Sequence, residues 1–250
     1  MGFYDDAAGV TYMGTSSKSL GLSILYGAND WLGANYASSM TQIPGRSAAE
    51  IVPSNRYNNV SQVFEFTRLT STPFMEVTAL SRAVSRWLFS TDPKQYQKLS
   101  YDGSPNLYYM AVPTAVSSFK ISDRTSISFS VTFSCQPFAY EVGGDEYQSV
   151  VSGDNLINDR PWNSYPLWHI SGTGNGSFIL NGVTYNFLGL NGDLYVDSDT
   201  EDVYDSQGNY QPGMVQFTNY AFPVLSPGDN KLTDISALNL EVMPRWRTML

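Results

Sequence analysis

The sequence predicts a mainly β protein of two domains. The first combines strands with one α-helix and a projecting hairpin, and the second is a β-sandwich. Ser126–Cys135 ("SISFSVTFSC") alternates without an error, with Ile127, Phe129, Val131, Phe133 and Cys135 on one face and Ser or Thr on the other. That is the period of a half-buried strand. Later, "LWHISGTGNGSFILNGVTYNFLGLNGDLYVDSD" reads as strands of four to six residues between Gly/Asn turns, the spacing of a sandwich. The charge also divides the chain. Residues 1–140 hold ten Lys/Arg and nine Asp/Glu, a net of +1, whereas residues 141–250 hold four and fourteen, a net of −10. Pro137 has no N–H to donate and is expected to end the Ser126 strand. The boundary is therefore placed between 137 and 138, giving domains 1–137 and 138–250.

A length of 250 residues accommodates two domains of ordinary size. With 42% hydrophobic residues and 35 aromatics against 14 Lys/Arg, the mix favours β packing over long charged helices. The acidic second half argues against nucleic-acid binding, which needs cations to replace phosphate counterions, and against docking to an anionic membrane. No apolar run reaches the roughly 18 residues of a membrane helix. The start, "MGFYDDAAGVTYMG", lacks the basic and apolar regions of a secretory signal. A reducing cytosol is the expected place of synthesis. The single cysteine, Cys135, rules out an internal disulfide. On the apolar face of its strand it should pack as a small hydrophobe.

Along the chain, "VTYMG" (Val10–Gly14), "LGLSILYG" (Leu20–Gly27) and "VSQVFEFTRL" (Val60–Leu69) carry strand signals. The connection Ala28–Ala49 is long and contains Pro44, Gly45 and Arg46. Loops of that length are often functional. It leads into "EIVPSNRY", where a Pro53-Ser54-Asn55 turn is expected to tip the projecting hairpin. Arg46 offers a planar fork of donors suited to an interface. Pro44, Gly45, Arg46, Arg56 and Tyr57 are thus the candidate assembly residues. From Thr72 onward Val77, Leu80, Val84, Trp87 and Leu88 fall at helical spacing. Thr72 is expected to cap this helix, Pro73 to open it and Ser90–Pro93 to stop it. "LYYMAV" (Leu107–Val112) and "ALNLEVMPRW" read as further strands, and Asn181-Gly182 is a strong hairpin turn.

Candidate chemistry is sparse. His169, the only histidine, lies inside a strand pattern without a Gly-x-Ser-x-Gly elbow. "GTGNGS" (Gly172–Ser177) lacks the Gly-Lys-Ser/Thr of a phosphate loop and reads as a hairpin turn. Among the carboxylates Asp193, Asp197, Asp199, Glu201, Asp202 and Asp205, the run Asp197-x-Asp199-x-Glu201 begins like a calcium loop. Position six is Asp202 instead of Gly and position twelve is Gly208 instead of Glu, so it is no EF-hand. No catalytic residue, cofactor or metal is assigned.

Several stretches in order resemble the distal tail (Dit) proteins of siphophages, the phages with long non-contractile tails. They are "GVTYMGTSSKSLGLSI", "PGR", "VSRWLF…KLSYDGSPNLYYMAV" and "CQPFAYE" in the first half. "NSYPLWHISGTGNGSFILNG", "GDLYVDSDTEDVYDSQGN", "FPVLSPGDNKL" and "VMPRWR" follow in the second. "PGRSAAEI" departs from the family, which often has Asp-Gly after the Arg. The resemblance implies a structural virion protein and no enzyme. Its first domain, a β-sandwich plus helix, would build a homo-hexameric ring with a central channel, and its second would be a galectin-like sandwich whose last strand can pack back on the first domain. Such rings join the major tail tube protein to the tail-tip protein of the baseplate and in some phages carry receptor-binding proteins. Phe138 and Tyr140 would then seat the junction between domains. The alternative to this structural role is a carbohydrate-binding module for attachment to the host cell surface, stacking sugar on Trp162, Trp168 or nearby Tyr side chains.

Overall fold

A computed structural model describes residues 8–24, 33–90, 95–122 and 124–250. It is mainly β, and its contacts divide it into two compact units. The first comprises residues 1–139 with Met249–Leu250, and the second Tyr140–Thr248. The end of the expected Leu20–Gly27 strand, the start of the 28–49 connection and most of the Ser90–Pro93 helix stop lie outside the described residues.

The strands up to the division are β1 (Val10–Tyr12), β2 (Thr15–Ser16), β3 (Ser23–Ile24), β4 (Tyr36–Thr41), β5 (Glu50–Tyr57), β6 (Val60–Leu69), β7 (Gln97–Tyr101), β8 (Leu107–Val116), β9 (Lys120–Ser122) and β10 (Ser126–Glu141). The helix α1 (Pro73–Phe89) follows β6. The sheet order is β2-β1-β7-β8-β10-β6-β3, with β9 alongside β10. The far edge returns to the start, because the Ile24 N–H donates to the Ala8 carbonyl (3.0 Å) just before β1. This closure surrounds a core of Phe64, Phe66, Leu99, Ile127, Val131 and Phe133. β10 supplies its central wall. From Ser126 to Cys135 every second side chain is buried, and this stretch pairs with β6 from Ser126↔Leu69 to Cys135↔Val60.

Pro137 does not end the strand. β10 runs on to Glu141 because only its pairing with β6 stops at Cys135. Beyond that point no N–H is needed from Pro137, whose carbonyl instead accepts from the Leu250 N–H (3.1 Å). The chain's last two residues are thereby part of the first unit. α1 buries Leu80, Val84, Trp87 and Leu88, and the Trp87 indole donates to the Thr15 carbonyl (3.1 Å). Thr72 sits at the N-cap but caps no backbone N–H. Its hydroxyl donates instead to Glu76 (2.8 Å), which also takes the Thr70 hydroxyl and pairs with Arg68 (3.0 Å). These bonds, the hydroxyls first, hold the Glu76 carboxyl below its usual range.

The second unit is built from β11 (Gln148–Val150), β12 (Asn155–Asn158), β13 (Leu167–Leu180), β14 (Val183–Asp197), β15 (Asp202–Asp205), β16 (Val215–Phe217) and β17 (Gly228–Met243), while the last strand, β18 (Arg247–Met249), pairs with β10 in the sheet described above. Where the sequence predicts many short strands, three long ones dominate. β13 joins β14 through Asn181 and Gly182, both at positive φ (50° and 81°), the two-residue hairpin that dipeptide favours. The halves of these long strands take different neighbours. β11 and β15 pair with the C-terminal halves of β17 and β14, and β12 and β16 with their N-terminal halves.

Trp168 and Phe178 are ten residues apart on β13, a separation of about 33 Å in a straight strand, yet their ring centroids lie 5.1 Å apart. β13 therefore folds back on itself, and its two ends face each other across one core of Ile170, Leu180, Phe187, Val196, Leu232 and Val242. "GTGNGS" is the bend of this strand and not a hairpin turn. The register slips between Gly174 and Gly176 against β14, and between Gly172 and Ser177 against β17. Glycine is required by close approach. A Cβ on Gly172 would lie 3.0 Å from the Ala237 carbonyl oxygen, and one on Gly176 2.8 Å from that of Ser236.

Two outcomes check this packing. Gly176→Val should destabilise the second unit by about 2 kcal/mol through overpacking against rigid backbone, read as a shifted denaturant midpoint. Burial pushes the Cys135 thiol up to about 12. It should thus resist a thiol reagent at pH 8 in the native protein and react stoichiometrically once denatured.

Candidate functional site

The hairpin β4–β5 forms a two-stranded sheet of its own. Its register runs Thr41↔Glu50, Met40↔Ile51, Ser39↔Val52 and Ser38↔Pro53. The tip is therefore the segment 42–49, and the Pro53-Ser54-Asn55 turn expected there is strand instead. The reason lies in the other turn. The Arg46 N–H donates to the Ile43 carbonyl (3.0 Å), and Gly45 has φ 85° after Pro44. Pro then positive-φ Gly is the pattern of a type II turn, which reverses the chain before Pro53 is reached. Pro53 is tolerated because the pair has open edges. Asn55 (φ 51°) marks a bulge between Tyr36 and Ser38, held by the Tyr36 hydroxyl on the Asn55 side-chain oxygen (3.1 Å).

The five candidate assembly residues do not form one cluster. Pro44, Gly45 and Arg46 are at the tip, whereas Arg56 and Tyr57 are at the base, a strand length of about 25 Å away. Tyr57 roots the arm in the core of the first unit. Its ring meets Tyr36 edge-on (5.4 Å) and Phe138 of β10 edge-on (5.7 Å). Asn58 N–H bonds the Asn35 carbonyl (2.9 Å), closing the base.

Sequence reasoning missed the arm's apolar content. Met40 (71% exposed), Ile51 (61%) and Val52 (49%) face solvent, and β5 is exposed on both faces. Met40 and Ile51 are directly opposite on one face, and Val52 lies on the other. The signal was present in "SSMT" and "EIVP", but an apolar residue reads as core until the register shows that nothing covers it. An isolated hairpin is at best marginally stable in water, and exposed apolar groups mark contact surfaces.

The remaining candidates fall elsewhere. Trp168 is fully buried and cannot stack on a sugar. Trp162 is half-buried, its carbonyl accepting from Asn158 (2.8 Å). His169 lies in a cross-strand row Ser149, Glu241, His169, Tyr195, Tyr204. Its ring stacks on Tyr195 (4.8 Å), and its two nitrogens face Glu241 (2.8 Å) and Asp193 (2.9 Å). The Ser149 hydroxyl bonds Glu241 and not the imidazole, so a carboxylate separates hydroxyl from ring, the reverse of a nucleophile-activating triad.

The acidic run is used piecemeal. Asp193 faces His169. Asp197 takes a bidentate Arg245 (2.7 and 3.0 Å), and Asp205 closes a turn on the N–H groups of Gln207 and Asn209. Among the described residues no group of three such side chains could hold a metal ion.

The His169 contact holds the Glu241 carboxyl below its usual range, helped by Ser149. A carboxyl depressed in the folded state contributes stability above its unfolded pKa that is lost as pH falls through the folded one. His169→Phe, which keeps a ring against Tyr195, should move the Glu241 titration upward in carbon-detected NMR and flatten the acid side of the stability profile.

No family model and no curated protein matches the chain. Solved structures do. The crystal structure of the Dit (gp 19.1) protein of phage SPP1, described as a paradigm of the hub adsorption apparatus in phages infecting Gram-positive hosts, superposes with a TM-score of 0.71. It covers 95% of this chain and 98% of that one at 11% identity. A chain of the phage P2 baseplate in its activated conformation with Ca matches at TM-score 0.52 and 10% identity, over 94% of this chain and 97% of that one. The form with Sr gives 0.52 and 9%, over 98% of both. Through both units, the chain has the fold of a phage distal tail hub protein.

Proposed function

We propose that the protein is a structural component of a siphophage virion, a hub at the distal end of the tail. Six copies form a ring that joins the tail tube protein to the tail-tip proteins of the baseplate and to receptor-binding components. Residues 1–137 are the ring-forming domain and residues 138–250 a galectin-like domain. The observation that carries this reading is the likeness to the SPP1 hub protein over nearly the whole length of both chains.

The exposed arm supports it from within the chain. Met40, Ile51 and Val52 lie on a hairpin with no second layer of its own. Laid on a neighbouring copy, they would lose water contact at about 25 cal/mol per Å² of apolar surface. Arg46 at the tip and Arg56 near the base add donors for carboxylates or carbonyls of the neighbour. A near-neutral first half allows copies to pack side by side, while a net of −10 in the second half is tolerated where salt screens it over about 8–10 Å. The reading requires no catalytic group, cofactor, nucleic acid or membrane insertion.

Light scattering coupled to size exclusion tests the proposal on the full-length protein, alone and with a tail tube protein. Particles near six times the 27.7 kDa chain mass are expected. The triple variant Met40→Ser, Ile51→Ser, Val52→Thr should remain folded by circular dichroism and shift toward monomer. Strictly monomeric wild type under both conditions would sink the ring. Undiminished rings in the variant would instead remove the arm's part in it.

A further inference from the structure

The second unit carries a cleft of about 730 Å³ that neither the arm nor the hub reading uses. Its floor is Val203 of β15, with Val215 and Phe217 of β16 and Phe222. The floor is fixed, since the Phe217 ring is held edge-on by Tyr185 (5.2 Å), Phe187 (5.9 Å) and Phe222 (5.4 Å). Two further rings stand at the mouth almost free of packing, Tyr210 (71% exposed) and Tyr220 (93% exposed). Tyr220 and its neighbour Asn219 both have left-handed backbone (φ 57° and 56°). A bulky residue there is an outlier, and the conformation presents a large ring to solvent that ordinary folding would bury. Glu201 completes the wall, Asp202 turns its side chain to the face of β15 opposite Val203, and no Lys or Arg lines the cleft.

Aromatic faces carry a negative quadrupole, and beside a carboxylate they make a site for a cation that also has an apolar body. A bare metal ion is unsuited, because it needs several converging oxygens. An anion is opposed by Glu201 and by the net of −10 in this half of the chain. We infer that this cleft binds an organic ammonium group, with the rings of Tyr210 and Tyr220 against its alkyl substituents and Glu201 supplying the counter-charge. The group can belong to a free small molecule with a quaternary nitrogen or to a primary alkylamine such as a lysine side chain. The chemistry is shared, and the probes separate the sources.

The experiment is an NMR titration of the full-length protein with choline, with butylammonium, and with 3,3-dimethylbutan-1-ol, which has the shape of choline without its charge. A methyl glycoside serves as a fourth probe. Saturable shifts at residues 201–222 with choline or butylammonium are expected, at least about tenfold tighter than with the neutral alcohol. The tighter of the two cations identifies the source. Tyr220→Ala, at a side chain outside the core, should weaken cation binding about fivefold or more, and Glu201→Gln should weaken it while increasing tolerance of salt. Equal binding of the neutral alcohol, binding of the glycoside in place of the cations, or no saturable shift with either cation would each overturn the inference. None of these outcomes depends on whether the protein forms rings.

Discussion

Backbone N–H and C=O groups at the edge of a sheet must find partners or remain in water, where they template pairing with other chains. The way this chain meets that requirement organises both units. In the first, the sheet runs from β1 to β3 and then returns to its start through the Ile24–Ala8 bond. In the second, β13, β14 and β17 bend so that each serves two layers, and short strands cover the flanks. Both solutions depend on long strands that keep their hydrogen bonds while changing direction. In the second unit the change of direction occurs over residues 172–176, at whose two ends, Gly172 and Gly176, facing carbonyls leave no room for a side chain.

The β4–β5 arm is the departure from this economy. It is two strands wide, exposed on both faces of β5, and tied to the body through Tyr57, Tyr36 and Phe138. A hairpin of this kind gains little from its own hydrogen bonds. Its aromatic root orders the base, while Met40, Ile51 and Val52 leave the outer length with unspent apolar surface.

The second unit spends its polar residues locally. The bidentate Arg245–Asp197 pair, the Asp205 turn and the His169 row account for carboxylates that in sequence look like one acidic tract. Burial raises the Asp199 carboxyl even though Arg245 lies close enough to oppose the shift. Such pairing fixes geometry more than it adds stability, since desolvation offsets much of the attraction.

Local pattern was enough for the elements whose signal repeats within one turn or one strand. The alternation of Ser126–Cys135 set which face of β10 is core and buried Cys135 with it. The helical spacing of Leu80, Val84, Trp87 and Leu88 set the packed face of α1, and Asn181-Gly182 set a hairpin. The rest was decided by residues distant in sequence. "GTGNGS" is a bend because Ser236 and Ala237, some sixty positions later, press on it; alone it is indistinguishable from a turn. The arm turns at Pro44-Gly45 and not at Pro53 because β5 found its partner in β4, and two plausible turns compete until pairing selects one. Thr72 left its capping role because Glu76, held by Arg68 and Thr70, takes its hydroxyl. The exposed rings of Tyr210 and Tyr220 look like core residues in a sequence so rich in aromatics. Only the tertiary packing, which fills the core with Trp168, Phe178 and Phe187, leaves them at the surface.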